Sequence, residues 1–226
     1  PLKYPPRFGY KGVYGPSALA SKQSFRAAES YQAVEDDIFI ATQMKCGTTW
    51  MQQIVFEILH KGKGDLGDDG YRHMYALSCW IETSPRGSVP FERAPLVSAY
   101  DKRIIKTHLP ASLCPYNEAA KYIYVTRHPV SCYASVVDFI EFLTGPLAPT
   151  REKMLEFFCS DKFFWSDWAT HVEGWWQWSK KYNNVLFIHF EQLKEEPKEF
   201  IETVSRIANT FGGINLEDIK APGCFE

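Results

Sequence analysis

The sequence predicts an α/β domain in which a mainly parallel central sheet is flanked by helices. From Asp37 onward, short runs rich in β-branched and aromatic residues alternate with stretches of helical periodicity, the pattern that builds strand-helix-strand units. Glycine and proline punctuate those units where they should: Gly62 ends one helical stretch, and Pro129 occupies the first turn of another. With 226 residues, 45% of them hydrophobic and 15% aromatic, the chain can build one large core and lies far from disordered compositions.

Residues 1–36 read as an irregular N-terminal segment contributing to the domain surface, and residues 37–226 as the domain itself. The first strand is D-I-F-I-A-T, Asp37 to Thr42. After a short turn, T-T-W-M-Q-Q-I-V-F-E-I-L-H-K-G places Met51, Ile54, Val55, Ile58 and Leu59 on one helical face. An irregular stretch rich in Gly, Pro and Asp follows over 62–102. R-I-I-K-T-H-L forms a second strand ending at Pro110, and K-Y-I-Y-V-T-R a third ending at His128-Pro129. The next helix, about 129–143, buries Tyr133, Val136, Val137 and Ile140 by spacing. Two more helical segments cover roughly 150–182, V-L-F-I-H-F (Val185 to Phe190) is a fourth strand, and a last helix runs near Pro197 to Thr210.

Charge excludes some partners. With 25 Lys+Arg against 27 Asp+Glu, the net charge of -2 supplies no global cationic field, so neither nucleic acid nor a membrane surface is an expected partner. No apolar run approaches the roughly 18 residues that span a bilayer, and the opening P-L-K-Y-P-P-R-F-G-Y lacks a secretory layout. The chain therefore reads as soluble and cytoplasmic; a homodimer is left open. Cys46, Cys79, Cys114, Cys132, Cys159 and Cys224 form no C-x-x-C pair and no zinc spacing, so no metal is expected and most read as reduced thiols inside the fold.

The polar residues at strand ends carry the chemistry. Lys45 follows the first strand, Lys106 and His108 lie near the end of the second, and Arg127 closes the third. Ligands of open α/β sheets bind at the carboxyl ends of the strands, so this rim is the candidate active site. T-Q-M-K-C-G-T-T-W sets Lys45, Gly47, Thr48 and Thr49 between a strand and a helix, where backbone N–H groups and the positive end of the helix dipole bind phosphate or sulfate. It departs from the nucleoside-triphosphate loop, which needs Gly at Thr42 and Lys at Thr48. Alone, such a segment reads equally as a strand-to-helix turn with a solvated lysine and a capping threonine.

Several separated segments resemble the cytosolic-type sulfotransferase family, whose members move a sulfonate group from 3'-phosphoadenosine-5'-phosphosulfate (PAPS) to an acceptor and release 3'-phosphoadenosine-5'-phosphate (PAP). K-C-G-T-T-W (Lys45 to Trp50) resembles the family's 5'-phosphosulfate loop, usually K-S-G-T-T-W, and R-I-I-K-T-H-L-P resembles the segment holding its catalytic histidine. Y-V-T-R-H-P, with Ser135 eight residues after Arg127, resembles the 3'-phosphate motif. H-V-E-G-W-W and V-L-F-I-H-F-E-Q-L-K-E-E-P-K resemble the later part of the domain, so the likeness spans about 38–205.

The resemblance implies a P-loop-like phosphosulfate-binding strand-loop-helix in which Lys45, Cys46, Gly47, Thr48 and Thr49 hold the 5'-phosphosulfate. Lys45 would neutralise charge on the bridging oxygen, Trp50 would stack on adenine, and Arg127 and Ser135 would bind the 3'-phosphate. Phe190 falls where the family often has a tyrosine near adenine. His108 would be the general base toward the acceptor hydroxyl or amine, and Lys106, two residues earlier on the same face, would stabilise the transferring sulfonate. Phe91, Phe139 and Trp80 fall where family members line the acceptor pocket.

The other five histidines read as structural or exposed, and W-W-Q-W (Trp175, Trp176, Trp178) as core or helix-interface packing, with an aromatic acceptor site as the sharper alternative. Three departures stand against the family pattern, one being that the segment supplying a further adenine contact is not found. Cys46 replaces a serine, exchanging a strong donor for a weak one. The R-K-G segment that in the family closes over the 3'-phosphate is not found up to Glu226. A non-catalytic nucleotide-binding protein of the same fold, and less favourably a nucleotide phosphotransferase, remain as alternatives at this point.

Overall fold

The computed structural model of the chain describes residues 4–67, 73–83 and 101–207. It confirms the α/β class. Five parallel strands form the central sheet: β3 (Asp37–Thr42), β4 (Cys79–Trp80), β5 (Arg103–Thr107), β6 (Lys121–Thr126) and β7 (Val185–His189), in the spatial order β4-β5-β3-β6-β7. Helices α2 (Thr48–Leu59), α4 (Pro129–Thr144), α5 (Arg151–Phe158), α6 (Trp168–Lys181), α7 (Phe190–Glu195) and α8 (Pro197–Ile207) connect or follow these strands, with one-turn α3 (Met74–Leu77) before β4.

Side-chain alternation along each strand divides the core into two layers. Ile38, Ile40, Ile104, Ile123 and Val125 face the apolar stripe of α2, where the five residues expected from spacing are all buried, together with Phe200 and Val204 of α8. Phe39, Ala41, Ile105, Tyr122 and Tyr124 face the other layer, with Val136 and Val137 of α4 and Trp175 of α6. Strands covered on both faces read as nearly continuous apolar runs, which is why four of them were visible in sequence. The fifth, β4, has two residues and carries no such signal.

The N-terminal stretch is more regular than expected. β1 (Arg7–Tyr10) and β2 (Val13–Pro16) form a hairpin, and α1 (Lys22–Glu29) follows, started by a Ser21–Ser24 capping box. The two-residue turn is Lys11-Gly12, both left-handed at φ 47 and 81, the backbone that matches strand twist in a tight hairpin. Four-residue strands interrupted by Gly and Pro lack the alternation that sequence reading relies on.

Three helix details differ from expectation. On α4 the buried stripe uses Cys132 rather than Tyr133, whose ring is half-buried with its hydroxyl donating to Arg151 O at 2.7 Å. Phe190 is the first residue of α7, not the last of β7. Pro129–Leu147 has the length and composition of a membrane-spanning helix, although Cys132, Val136, Val137 and Ile140 pack it into the core; Phe142, Leu143 and Leu147 are exposed. At the end of α2, Gly62 (φ 69) donates its N–H to Glu57 O at 2.8 Å, closing the helix as expected.

Candidate active site

The register of the sheet brings the site together. Trp80 pairs with Lys106, and Lys106 with Ile40, so β4, β5 and β3 end within two residues of one level and the loops beyond them share one rim. Lys106 Nζ lies 3.8 Å from the Trp80 ring centroid, and the Trp80 and His108 rings are 5.2 Å apart, edge to face. Lys45 Nζ sits 4.7 Å from the Phe139 ring and close enough to Lys106 to oppose its charge. The expected pocket residues Trp80 and Phe139 thus flank the expected cations. Phe91 lies outside the described residues.

The loop between β3 and α2 has the geometry of an anion cradle. Lys45 (φ 65) and Gly47 (φ 99) are both left-handed, so the chain turns tightly from β3 into α2. Gly47 caps α2 without any side-chain hydrogen bond, so no capping side chain stands between the Thr48 and Thr49 amides and a ligand. A donor carrying a 5'-phosphosulfate fits this arrangement: the Thr48 and Thr49 amides at a helix start, a flanking lysine, and no side-chain cap in the way. Thr49 is exposed at that turn, whereas Thr48 is buried with its hydroxyl 2.6 Å from Thr42 Oγ1.

Cys46 contributes differently than expected. Its thiol is buried 3.6 Å from Cys132 Sγ, and its N–H donates to Gln43 O at 3.3 Å, so both of its donors are spent inside the protein. The contact with Cys132 and burial hold the thiol well above its ordinary range. Cysteine in place of serine therefore removes no donor from the cradle. Among the described residues, Cys46, Cys79, Cys114 and Cys132 are buried and Cys159 is exposed.

A second group forms around the far side of the loop. Arg127 donates from Nη1 to Lys45 O at 3.1 Å, its guanidinium lies 5.1 Å from the Phe190 ring, and Trp50 meets Phe190 edge to face at 5.7 Å. Ser135 is half-buried in the second turn of α4. Phe190 lies directly over Gly47, where a Cβ would overlap its ring. Gly47→Ala is expected to destabilise the fold by at least about 2 kcal/mol, from left-handed strain of about 1 kcal/mol and overpacking of about 1–3 kcal/mol. Urea unfolding measures this; an unchanged midpoint would mean that the loop relaxes around the methyl group.

His108 is fixed at three points. Its Nδ1 lies 2.8 Å from Thr42 O and 3.1 Å from Thr42 Oγ1; the carbonyl can only accept, and the tautomer that bonds it protonates Nδ1 and leaves Nε2 as a lone pair. Its backbone N–H donates to Glu82 Oε1 at 2.7 Å, and its carbonyl accepts from His171 Nε2 at 2.9 Å. Tyr124 OH in turn donates to His171 Nδ1 at 2.8 Å. Burial, then the charge of Lys106, push the His108 imidazole well below its ordinary 6.5, and burial pushes His171 down to about 4, so both rings are neutral at pH 7. Burial lowers Lys106 to about 8.

Sequence reasoning missed the residues that hold this geometry. Trp165 is buried with its ring 4.9 Å from His108, and both it (φ 58) and Ser166 (φ 96) have left-handed backbone. Gln43 Nε2 clamps that strained turn by donating to Phe164 O at 3.1 Å and Ser166 O at 2.7 Å, while Trp165 N–H donates to Tyr14 O of β2 at 2.7 Å. Of the W-W-Q-W cluster, Trp175 is core, donating Nε1 to Leu109 O at 3.2 Å, and Trp176 is exposed beside Lys180.

Parallel sheet, glycine-turn loop and rim histidine define an α/β protein with a strand-loop-helix cradle and a neutral imidazole beside two lysines. The family model described as Sulfotransferase domain matches residues 35–219. The chain belongs to the sulfotransferase family. It is 31% identical over 208 residues to Sulfotransferase 1C2 of Oryctolagus cuniculus, covering 90% of this chain and 67% of that one, and 33% identical over 186 residues to Sulfotransferase 1A1 of Mus musculus, covering 80% and 62%. The chain thus spans about two thirds of the length of these curated relatives. The solved structure of mouse sulfotransferase SULT7A1 complexed with PAP superposes with a TM-score of 0.70 at 22% identity, over 97% of this chain and 71% of that one, a likeness of fold.

Proposed function

We propose that this protein transfers the sulfonate group of PAPS to a hydroxyl or amine of a small acceptor, with His108 as the general base. The observation that carries the reading is the hydrogen bond from His108 Nδ1 to Thr42 O, which leaves a bare Nε2 on the rim beside Lys106 and Trp80. The donor supplies an activated sulfonate with a bisphosphate leaving group. This chain's residues do the rest. The α2 amides and Lys45 hold the 5' end, Arg127 and Ser135 the 3'-phosphate, and Trp50 and Phe190 the adenine. His108 Nε2 takes the proton as the acceptor oxygen or nitrogen forms its bond to sulfur and the sulfur–bridging-oxygen bond breaks, the leaving electron pair staying on the phosphate oxygen. Lys45 and Lys106 oppose the charge that builds on that oxygen and on the sulfonate. The family membership and the PAP-complexed structural neighbour support the choice of donor.

The test is transfer of radiolabelled sulfonate from PAPS to a panel of phenols, alcohols and amines. Labelled acceptor is the expected product. Tight PAP binding without transfer to any member would instead favour a non-catalytic binding protein.

The pH dependence has a definite sign. Transfer needs neutral His108 and charged Lys106, so kcat/KM for the donor should fall as pH rises through about 8 and show no acid limb near the ordinary histidine value. Stability should move oppositely. Lys106 binds its proton less tightly folded (about 8) than unfolded (10.5), so the unfolded state holds more protons in that window and this group raises stability with pH across it. Parallel rate and urea-midpoint profiles check both signs.

A further inference from the structure

Glu82 follows β4 with a side chain 0% exposed, and a buried carboxylate needs compensation. Three donors face it: Trp80 Nε1 to Oε1 at 2.7 Å, His108 N–H to Oε1 at 2.7 Å, and Thr107 Oγ1 to Oε2 at 3.0 Å. Its own carbonyl accepts from Ser24 Oγ at 2.8 Å, tying the turn to α1. Burial raises the carboxyl and the three donors oppose that rise. A protonated Glu82 would have to reverse the Thr107 contact, its O–H turning toward Thr107 Oγ1, which also accepts from Leu109 N–H at 3.0 Å. The anion is the form that accepts from all three donors at once.

None of the three donors carries charge. The cation lies across the Trp80 ring: the indole edge donates to Glu82 while its face receives Lys106 Nζ at 3.8 Å. An anion at the N–H edge enriches the ring's electrons and strengthens that cation–π contact. Lys106, only 6% exposed, is also faced by Lys45 from the cradle, His108 beyond its own strand, and Tyr75 of α3, whose ring is 5.4 Å away. Burial and Lys45 disfavour its charge; Glu82 favours it.

We propose that Glu82 is a positioning residue for sulfonate transfer, whose negative charge keeps Lys106 cationic across the Trp80 ring while its oxygens fix that ring and the His108 backbone. The proposal rests on the transfer reading for its consequence, but its physical core is a Glu82–Lys106 coupling that exists without turnover. Glu82→Gln keeps the size and an acceptor oxygen for Trp80 and His108, removes the charge, and reverses the Thr107 contact, its amide nitrogen donating to Thr107 Oγ1.

Lys106 is followed by carbon NMR in lysine-labelled protein, with its signal assigned through Lys106→Met. In Glu82→Gln its proton affinity should fall about tenfold. PAP affinity at pH 6, where Lys106 is charged in both proteins, should stay within about twofold of the parent. With an acceptor from the panel, the alkaline limb of kcat/KM should move to lower pH by the same factor as the titration. An identical Lys106 titration in the two proteins overturns the proposal. Coupling is reciprocal, so Lys106→Met should move ionisation of Glu82, read in glutamate-labelled protein, to higher pH. That second titration decides the matter if Glu82→Gln does not fold, and an unmoved Glu82 overturns the proposal there. If no acceptor is ever sulfonated, the transfer reading fails while both titrations still report on Glu82.

Discussion

His108→Ala should lower kcat for sulfonate transfer by about 10²–10⁴-fold while leaving PAP affinity nearly unchanged, because a positioned base contributes in that range and His108 stands outside the cradle. The neutral ring is already in the working state at pH 7: burial and Lys106 suppress its protonation, and Thr42 O fixes which nitrogen is bare. Alanine also strips a partner from Thr42 O, so a modest loss of stability should accompany the loss of rate. PAP binding of the variant, measured beside its rate, separates the two effects. Full transfer activity in a folded His108→Ala protein would remove the proposed base.

Arg127→Ala should weaken PAP binding by about 1.5–3 kcal/mol, or roughly 10- to 150-fold. Two losses combine. The guanidinium fork is the group proposed for the 3'-phosphate, and the same side chain props the cradle through its hydrogen bond to Lys45 O and its contact with Phe190. Arg127→Lys keeps the charge without the fork and should recover only part of the affinity. Calorimetric titration gives the values directly; an Arg127→Ala protein that binds PAP as the parent does would place the 3'-phosphate elsewhere.

What the sequence revealed follows from how each feature is encoded. The cradle from Lys45 to Trp50 is contiguous, and Lys106, His108 and Arg127 sit at the ends of long apolar strands, so local pattern was enough to place all of them on one rim. The residues that support His108 arrive by packing. His171 is 63 positions from His108, and Gln43 is 123 from Ser166, separations that no spacing rule connects. Left-handed backbone at Trp165 is equally invisible, because sequence signals for positive φ are glycine and asparagine rather than a bulky aromatic. Glu82 is one acidic residue in an irregular stretch; only burial and three converging donors mark it. The Cys46 departure was visible, yet its meaning depended on Cys132, which α4 brings beside it.

The most direct test of the central claim, that this rim is the site of a doubly phosphorylated donor, is calorimetric titration of the protein with PAP and, separately, with ATP-magnesium. The expected result is saturable one-site PAP binding, lost in step with Arg127→Ala and Gly47→Ala, and much weaker ATP-magnesium binding because the loop lacks the triphosphate pattern. Equal or preferred ATP-magnesium binding, or no PAP binding by a folded protein, would contradict the claim.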